Sequence, residues 1–253
     1  MKKNIVFMTC FDKAPDTLDY KEWCYKTWQW WCDKHDVELI ILEDELRPKG
    51  DGTIKLPGMK PTWQRWHVFD VLDANEIEYD NVALVDIDTM IHWDCPNFFE
   101  ETEHKYCLVH DDGSYDWVLR GMEHYRKRVY DREWFNFWEY GNSGFQIVNN
   151  KHRDFFKYMR DFYFENIKEI NTIQQKYGVG TDQTPLNFNL RAQNVDVKLL
   201  GYKYNMGCML KKEILADDML FTKLGWVYHF NGLPDKDKSV PFWMEKTFKY
   251  LYG

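Results

Sequence analysis

The chain has 253 residues, of which 44% are hydrophobic and 29% charged, so it can build a full core and keep a polar surface. Its formal net charge of -8 argues against a surface that binds nucleic acid or anionic membranes. No apolar run approaches the roughly 20 residues of a membrane span. The opening apolar run is too short for a signal peptide, because Asp12 ends it, so we expect a first strand there.

The six cysteines are scattered along the chain and form no C-x-x-C pair. This spacing is typical of reduced, mostly buried thiols rather than of a disulfide framework. We therefore expect a reducing compartment and a cytoplasmic protein.

The first third of the chain alternates strand and helix patterns. Apolar runs at 4–10, 37–42 and 82–85 predict three strands. Apolar and aromatic residues at helical spacing predict helices over 15–36 and 62–72. Strands that alternate with helices indicate an α/β protein with buried parallel strands, whose carboxyl ends hold the ligand.

The connecting and later segments are less regular. Residues 43–61 are rich in Gly and Pro and predict a loop, of which the part from 47 to 61 is either a plain surface loop or a lid over a ligand. Residues 111–140 are polar and aromatic without a clean periodicity. Apolar patterns then continue into a C-terminal helix. No repeat or linker divides the chain, so we predict one domain.

Two acids, Asp86 and Asp88, follow the third predicted strand. Residues i and i+2 of a strand face the same side, so two like charges there are costly unless positive charge meets them. One interpretation is a helix cap or an ion pair with a lysine or arginine. The other is a site for Mg²⁺ or Mn²⁺ that leaves positions open for phosphate. A second D-x-D, Asp235-Lys236-Asp237, follows no strand and is interpreted as a solvated turn.

Three classes of protein are compatible with the acid pair. A haloacid-dehalogenase-like phosphatase would use Asp86 as nucleophile and Asp88 as acid, although its motif expects a Thr one residue later and usually opens the domain. The later pair Asp217-Asp218 keeps that class open. A nucleotide-sugar glycosyltransferase of the GT-A fold places D-x-D after an internal strand, as here. A non-catalytic carbohydrate-binding relative would keep the same fold.

Three later segments carry polar residues beside apolar runs, and each has an ordinary structural interpretation. Asn142-Ser143-Gly144 precedes an apolar strand and could be a tight turn. Asp182 and Gln183 precede a helix expected to start near Pro185, where Asp182 or Thr184 could be the cap. His229 ends an apolar strand and could be a half-buried imidazole.

In this order the segments resemble family 8 of the glycosyltransferases, the glycogenin-like and bacterial galactosyltransferase-like enzymes, from Asn4 to about Lys238. The matching positions are Thr9-Cys10-Phe11, Arg65, Asp86-Ile87-Asp88, Asn142-Ser143-Gly144-Phe145 to Asn149, Asp182-Gln183 to Asn187, Tyr204-Asn205 and His229-Phe230-Asn231-Gly232. Residues 112–140 have no clear counterpart in the family. The family's last lysine could be either Lys236 or Lys238.

The resemblance implies an α/β protein of the GT-A fold, with a Rossmann-like mixed sheet flanked by helices in a single domain, 1–253. Residues 1–92 would form the nucleotide-binding half. Residues 93–253 would form the half that holds sugar and acceptor, with the C-terminal helix. The expected partners are a nucleotide-sugar donor and a carbohydrate or glycoconjugate acceptor.

The resemblance also implies the site. Asp86, Asp88 and His229 would bind Mn²⁺ or Mg²⁺, and the imidazole favours Mn²⁺. The donor would be a UDP-sugar carrying a hexose or pentose, transferred with retention of the anomeric configuration. Asp182 would bind sugar hydroxyls, and Gln183, a poor nucleophile, would steady the oxocarbenium-like centre while the leaving phosphate takes the acceptor's proton. The residues expected at the donor are Thr9, Cys10, Phe11, Arg65, Asp86, Asp111, Asn142, Gly232, and Lys236 or Lys238.

Tryptophans are the remaining feature of the sequence. Those on the first predicted helix have core spacing. Trp117, Trp134 and Trp138 are candidates for an acceptor platform on which a sugar stacks.

Overall fold

The computed structural model describes residues 3–11, 20–43, 59–111, 113–131, 135–207, 209 and 218–253. Eight strands occur in this part of the chain: β1 (Lys3–Thr9), β2 (Glu38–Leu42), β3 (Tyr79–Val85), β4 (Thr89–Ile91), β5 (Tyr106–His110), β6 (Gly141–Asn149), β7 (Val197–Leu200) and β8 (Val227–His229). Six of them form one sheet in the order β2-β1-β3-β6-β5-β7. The other two, β4 and β8, form a small sheet of their own.

The large sheet is mixed. Strand β1 pairs in parallel with β2 and β3, as the alternating strand and helix patterns predict. Strand β6 runs antiparallel to both β3 and β5, and β5 is parallel to β7. Because β6 is antiparallel to β3, its first residues lie beside the end of β3, where Val85 pairs with Phe145. This pairing brings the 142–144 segment to the acid pair.

Helices cover both faces of the sheet. In the described ranges they are α1 (Lys21–His35), α2 (Pro61–Gln64), α3 (Val68–Ala74), α4 (Tyr115–Tyr125), α5 (Arg153–Tyr177), α6 (Gln183–Ala192), α7 (Phe221–Leu224) and α8 (Lys236–Tyr252). Along β1, Val6 and Met8 pack into one apolar cluster with α1 and α8, whereas Ile5 and Phe7 pack into the other with α3 to α6. The alternation of side chains along a strand therefore gives the sheet two buried faces.

The predicted elements agree with the structure where it describes them. The first helix begins at Lys21, and residues 12–19 lie outside the described part. The helix predicted over 62–72 is two helices joined by a 3-10 turn at Arg65–His67. Residues 44–58, which make up most of the Gly/Pro-rich loop, also lie outside the described residues. The same holds for Trp134, Cys208 and Asp217.

Two observations concern the expected setting of the protein. Among the described residues, no helix is both long enough and apolar enough to cross a membrane. All five cysteines in the described ranges are buried, which agrees with the expected buried thiols: Cys10, Cys24, Cys32, Cys95 and Cys107.

Candidate active site

The acid pair lies in the tight turn between β3 and β4. The hydroxyl of Thr89 donates to the carbonyl oxygen of Asp86 at 2.6 Å, and the indole N–H of Trp28 donates to the same hydroxyl at 3.0 Å. These bonds fix the turn, so both carboxylates stay at the carboxyl edge of the sheet. Strand β4 then pairs with β8, with Thr89 opposite His229. The small sheet thereby brings a histidine from near the end of the chain to Asp86 and Asp88.

The three expected metal ligands form one cluster, in which the ligand atoms lie within 4.8 Å of one another. His229 Nε2 is 3.2 Å from Asp88 Oδ1 and 3.7 Å from Asp86 Oδ2. The second oxygen of each carboxylate faces a cation instead. Asp86 Oδ1 accepts from Arg65 Nη2 at 2.5 Å, and Asp88 Oδ2 accepts from Lys236 Nζ at 3.0 Å. Each acid therefore keeps one oxygen for the cluster.

The donor atoms of this cluster fit a divalent cation. Bonds of about 2.1 Å to such an ion place neighbouring ligand atoms about 3 Å apart at a right angle, and farther apart at wider angles. The separations of 3.2 and 3.7 Å lie in that range. Two carboxylate oxygens and one imidazole nitrogen are donors that bind divalent metal ions in proteins.

Charge explains why the two acids tolerate each other. Burial alone would raise the pKa of Asp88, but His229 and Lys236 outweigh it and hold this pKa well below its usual value. Burial would lower the pKa of His229, but the charge and hydrogen bond of Asp88 raise it overall. The attraction of Asp88 also raises the pKa of Lys236. The expected ion pairs with an arginine or a lysine therefore exist, and each involves one carboxylate oxygen of Asp86 or Asp88.

Arg65 is the buried cation of the site. Besides Asp86, its guanidinium donates to the carbonyl oxygen of Ser143 at 2.6 Å and to that of Thr62 at 3.0 Å. Burial alone would lower its pKa, but Asp86 and Asp182 raise it overall. Arg65 therefore stays charged and ties the D-x-D turn to the start of β6.

A row of amide side chains continues from the cluster. The backbone N–H of Gly144 donates to Asn142 Oδ1 at 2.8 Å, which fixes the orientation of that amide. Asn142 Nδ2 then donates to Asp111 Oδ2 at 3.0 Å, and Asn205 Nδ2 donates to Asn142 Oδ1 at 3.0 Å. The oxygen of Asn205 is left to accept from His229 Nδ1 at 3.1 Å. With Nδ1 held by Asn205, the other ring nitrogen, Nε2, faces the two acids.

The same row ends at Gln183, the first residue of α6. Its Nε2 donates to Asp111 Oδ2, and its Oε1 accepts from the backbone N–H of Ser143 at 2.9 Å. Asp182 occupies the N-cap position, but its side chain makes no capping hydrogen bond. Burial raises the pKa of Asp182, although Arg65 opposes the shift. A hydrogen-bonded path therefore connects the acid–histidine cluster with the residues expected to face the sugar.

The backbone of Gly144 comes close to this cluster. A Cβ atom built on it would lie 2.3 Å from His229 Cε1, 2.8 Å from Asp86 Oδ2 and 2.9 Å from Asn142 Oδ1. Only a residue without a side chain leaves room for the imidazole here, which accounts for the glycine in the N-S-G segment.

The other expected donor residues are distributed around this centre. Thr9 ends β1, and the backbone N–H of Cys10 donates to the carbonyl oxygen of Leu42 at 2.9 Å. Phe11 is half-buried beyond them. Gly232 has a φ of 67°, in the left-handed region, and follows β8. The structure thus places the 9–11 segment at the end of β1, the strand next to the D-x-D strand.

The structure separates the two candidate lysines. Lys236 begins α8 and contacts Asp88, whereas Lys238 pairs with Asp235 at 3.1 Å and its side chain is 83% exposed. The second D-x-D is exposed, as expected for a solvated segment, but Lys236 also reaches Asp88 from the start of α8. Asp235, with a φ of 50°, turns the chain so that Lys236 points into the site.

Two residues near the centre were not assigned to the site from the sequence. Asn205 was part of a matched motif but received no role, and it holds His229. Tyr20 contributed to the sequence analysis only through the helical spacing of residues 15–36. It is buried, and its pKa is raised by burial and by the nearby carboxylate of Asp88. Helical spacing cannot distinguish a core tyrosine from one that borders a site.

No protein-family model matches the chain, and no curated protein matches it either. Several solved structures are similar to the chain. A glycosyltransferase involved in the glycosylation of the major capsid of PBCV-1 is similar over 96% of this chain and 99% of its own, with 10% identity and a TM-score of 0.58. Mouse xyloside xylosyltransferase 1 is similar over 92% of this chain and 100% of its own, with 10% identity and a TM-score of 0.51.

A third similar structure is the galactosyltransferase LgtC in complex with donor and acceptor sugar analogs, with 15% identity and a TM-score of 0.44. It is similar over 99% of this chain and 96% of its own. The matches to the first two structures cover nearly all of both chains, so they concern the whole fold. The chain therefore has the GT-A fold, a mixed sheet flanked by helices in a single domain, as the resemblance of its motifs predicts.

Proposed function

We propose that the protein is a metal-dependent glycosyltransferase that moves a hexose or pentose from a UDP-sugar to a carbohydrate or glycoconjugate acceptor, with retention. The observation that carries the proposal is the cluster of Asp86, Asp88 and His229 at the carboxyl edge of a GT-A sheet. Two proteins with similar folds are described as glycosyltransferases, which supports the same class. In this proposal residues 1–92 hold the nucleotide, and residues 93–253 hold the sugar and the acceptor.

The cluster would hold Mn²⁺, or Mg²⁺, through Asp86 Oδ2, Asp88 Oδ1 and His229 Nε2. When bound, the cation supplies positive charge to the diphosphate of the donor. Lys236 adds a second positive charge at the same place, and its ammonium can donate to the leaving diphosphate. Its contact with Asp88 supports the choice of Lys236 over Lys238.

The remaining donor contacts follow from position. Thr9, Cys10 and Phe11 would receive the uracil, because they lie where β1 ends, beside the strand that carries the acid pair. Asp111 and Asn142, joined to each other by a hydrogen bond, would hold hydroxyl groups of the sugar. Arg65, with its guanidinium on Asp86, would border the sugar from the other side, and Gly232 would bring its backbone to the diphosphate.

The transfer itself would take place on one face of the sugar. The bond between the anomeric carbon and the phosphate oxygen breaks, and its electron pair leaves with the diphosphate. The acceptor's hydroxyl oxygen forms the new bond from the same side, and its proton passes to the departing phosphate oxygen. Gln183 steadies the oxocarbenium-like centre from the opposite face, while buried Asp182 holds hydroxyl groups. A same-face route of this kind retains the anomeric configuration.

Hydrolysis of a panel of UDP-sugars with and without Mn²⁺ tests the proposal. We expect one UDP-sugar to be cleaved slowly in the presence of Mn²⁺, and the cleavage to be lost in Asp88→Asn and His229→Asn. Asp237→Asn is the matched control, because this exposed acid on α8 lies outside the cluster. If no UDP-sugar is bound or cleaved, the proposal is wrong.

Other outcomes distinguish the alternatives. Release of phosphate from phosphomonoesters with Mg²⁺, without any affinity for UDP, would identify a phosphatase. Sugar binding without cleavage would identify a non-catalytic relative. An inverted anomer in the product, seen by NMR, would reject retention. The buried cysteines support our further proposal that the protein works in a reducing compartment, the cytoplasm.

A further inference from the structure

A group of aromatic side chains lies exposed at the carboxyl edge of the sheet. Trp138 is 69% exposed and Tyr115 is 61% exposed, more than any other large apolar side chain in the described ranges. Phe137 joins them, with its ring centre 4.8 Å from that of Tyr115 and 5.4 Å from that of Trp138. The ring of His110 lies 5.7 Å from that of Trp138. We call these four residues the aromatic platform.

Contacts within the platform hold its rings in fixed orientations. Single exposed apolar residues are ordinary, whereas a contiguous exposed patch marks a binding surface. Edge-to-face contacts between the rings fix their relative orientation. The backbone is held as well, because the side chain of Asn136 accepts from the N–H of Trp138 at 3.1 Å. The rings are therefore preorganised for a ligand, which lowers the entropic cost of binding.

The platform borders the residues proposed to hold the sugar. His110 directly precedes Asp111, and Tyr115 follows Asp111 by four residues. Trp138 precedes Asn142 by four residues, and four residues span at most about 14 Å. Strand pairing brings both segments together, since His110 lies opposite Gly141.

Of the other two candidate tryptophans, the structure describes Trp117, which does not belong to this surface. Trp117 is half-buried, its indole N–H donates to the carbonyl oxygen of Gly178 at 3.1 Å, and its ring covers Gly180. Its role is thus to hold α4 against the segment before α6. Trp134 lies outside the described residues.

Charge around the platform indicates the kind of ligand. Two acids near the platform are paired with arginines, Asp116 with Arg120 at 2.9 Å and Glu139 with Arg191 at 3.3 Å. No excess positive charge is present in these pairs to attract phosphate headgroups or an acidic peptide. Flat rings bordered by polar side chains suit a neutral molecule with one apolar face and several hydroxyl groups. A pyranose ring has this chemistry.

We propose that the aromatic platform binds a neutral sugar ring of the acceptor, stacked through its C–H face on Trp138 and Tyr115. The bound ring would lie beside Asp111, so that a hydroxyl group of the acceptor reaches the donor sugar. This proposal rests on the proposed glycosyltransferase function and extends it to the acceptor, which it identifies as a neutral oligosaccharide.

Binding to an array of immobilised neutral oligosaccharides tests the platform. We expect Trp138→Ala to weaken binding to its preferred oligosaccharides by about tenfold or more, as for an aromatic anchor that the ligand covers. Trp138→Phe should retain part of the affinity, because a ring remains. Trp93→Ala is the matched control: Trp93 is 43% exposed and its ring contacts Lys34, outside the platform. Cleavage of the UDP-sugar without acceptor should be the same in all three variants.

The outcomes separate this inference from the proposed function. If the protein cleaves a UDP-sugar but Trp138→Ala and the unchanged protein bind oligosaccharides equally, the platform is rejected and the transferase stands. If no UDP-sugar is cleaved but oligosaccharide binding depends on Trp138, the transferase is rejected and the sugar site stands. The platform is also rejected if the unchanged protein binds no oligosaccharide, or binds through Trp138 only peptides or vesicles of phosphatidylcholine and phosphatidylglycerol.

Discussion

Replacing Gly144 with alanine is the most direct test of the site, because one methyl group must compete with the imidazole of His229 for space. The added Cβ would lie 2.3 Å from His229 Cε1, whereas carbon atoms in ordinary contact are about 3.5 Å or more apart. The shortfall is therefore on the order of 1 Å. The same methyl group would lie 2.8 Å from Asp86 Oδ2.

The imidazole has little room to retreat. The side chain of His229 is 3% exposed, its Nδ1 is held by Asn205, and its backbone N–H donates to the carbonyl oxygen of Met206 at 2.9 Å. Either the ring leaves the cluster or the start of β6 moves. Overpacking of this kind costs about 1–3 kcal/mol of stability, which corresponds to roughly 2–4 °C in Tm per kcal/mol for a chain of this size. Mn²⁺ affinity should fall by at least about tenfold, because one ligand is displaced.

Two measurements check the prediction for Gly144→Ala: titration with Mn²⁺ followed by the electron paramagnetic resonance signal of the free ion, and thermal unfolding in the presence of a chelator. Gly201→Ala is the control, since the nearest atoms to its added Cβ are 3.9 Å away on Lys203. If Gly144→Ala binds Mn²⁺ as tightly as the unchanged protein and unfolds at the same temperature, His229 does not lie where the structure places it.

Three further predictions concern neighbouring parts of the molecule. Asn205→Leu removes the acceptor for His229 Nδ1, so Mn²⁺ affinity should fall about tenfold or more in the same titration, and Asn205→Asp should lose less. Lys236→Met should weaken UDP binding, measured by calorimetry with Mn²⁺, by about tenfold, whereas Lys238→Met should not, and equal losses would contradict the assignment. Burial lowers the pKa of His152 from 6.5 to about 4, so between these values the unfolded chain binds a proton that the native state does not. Stability should therefore fall as the pH falls from 6.5 towards 4, by up to roughly 3 kcal/mol in urea unfolding, and an undiminished fall in His152→Gln would refute this cause.

The sequence predicted the part of the site that depends on local pattern. Strand β3 was visible as an apolar run, and a strand end is where side chains two apart share a face. The cluster of Asp86, Asp88 and His229 was expected from the order of the motifs, and the structure brings these three residues together. Motif order identifies the participants without any knowledge of the distances between them.

The parts that were not predicted depend on long-range geometry. The choice between Lys236 and Lys238 depends on the left-handed backbone of Asp235, which no motif indicates. The contact between the rings of Trp138 and His110 depends on the register of β5 and β6. This register shifts at an irregularity between Leu108 and Val109. A shift of one residue moves side chains to the other face, so composition alone could not place these rings.

The pairing of β4 with β8 also has a consequence for how the protein is made. During synthesis Asp86 and Asp88 leave the ribosome long before His229, and the contact between them closes one of the longest loops in the chain. Contacts of such high sequence separation form late in folding, because the chain entropy of the loop must be lost first. Chains that end before His229 would lack the third ligand. The free energy of metal binding would therefore stabilise only folded chains in which this contact has closed, so metal affinity would report on its closure.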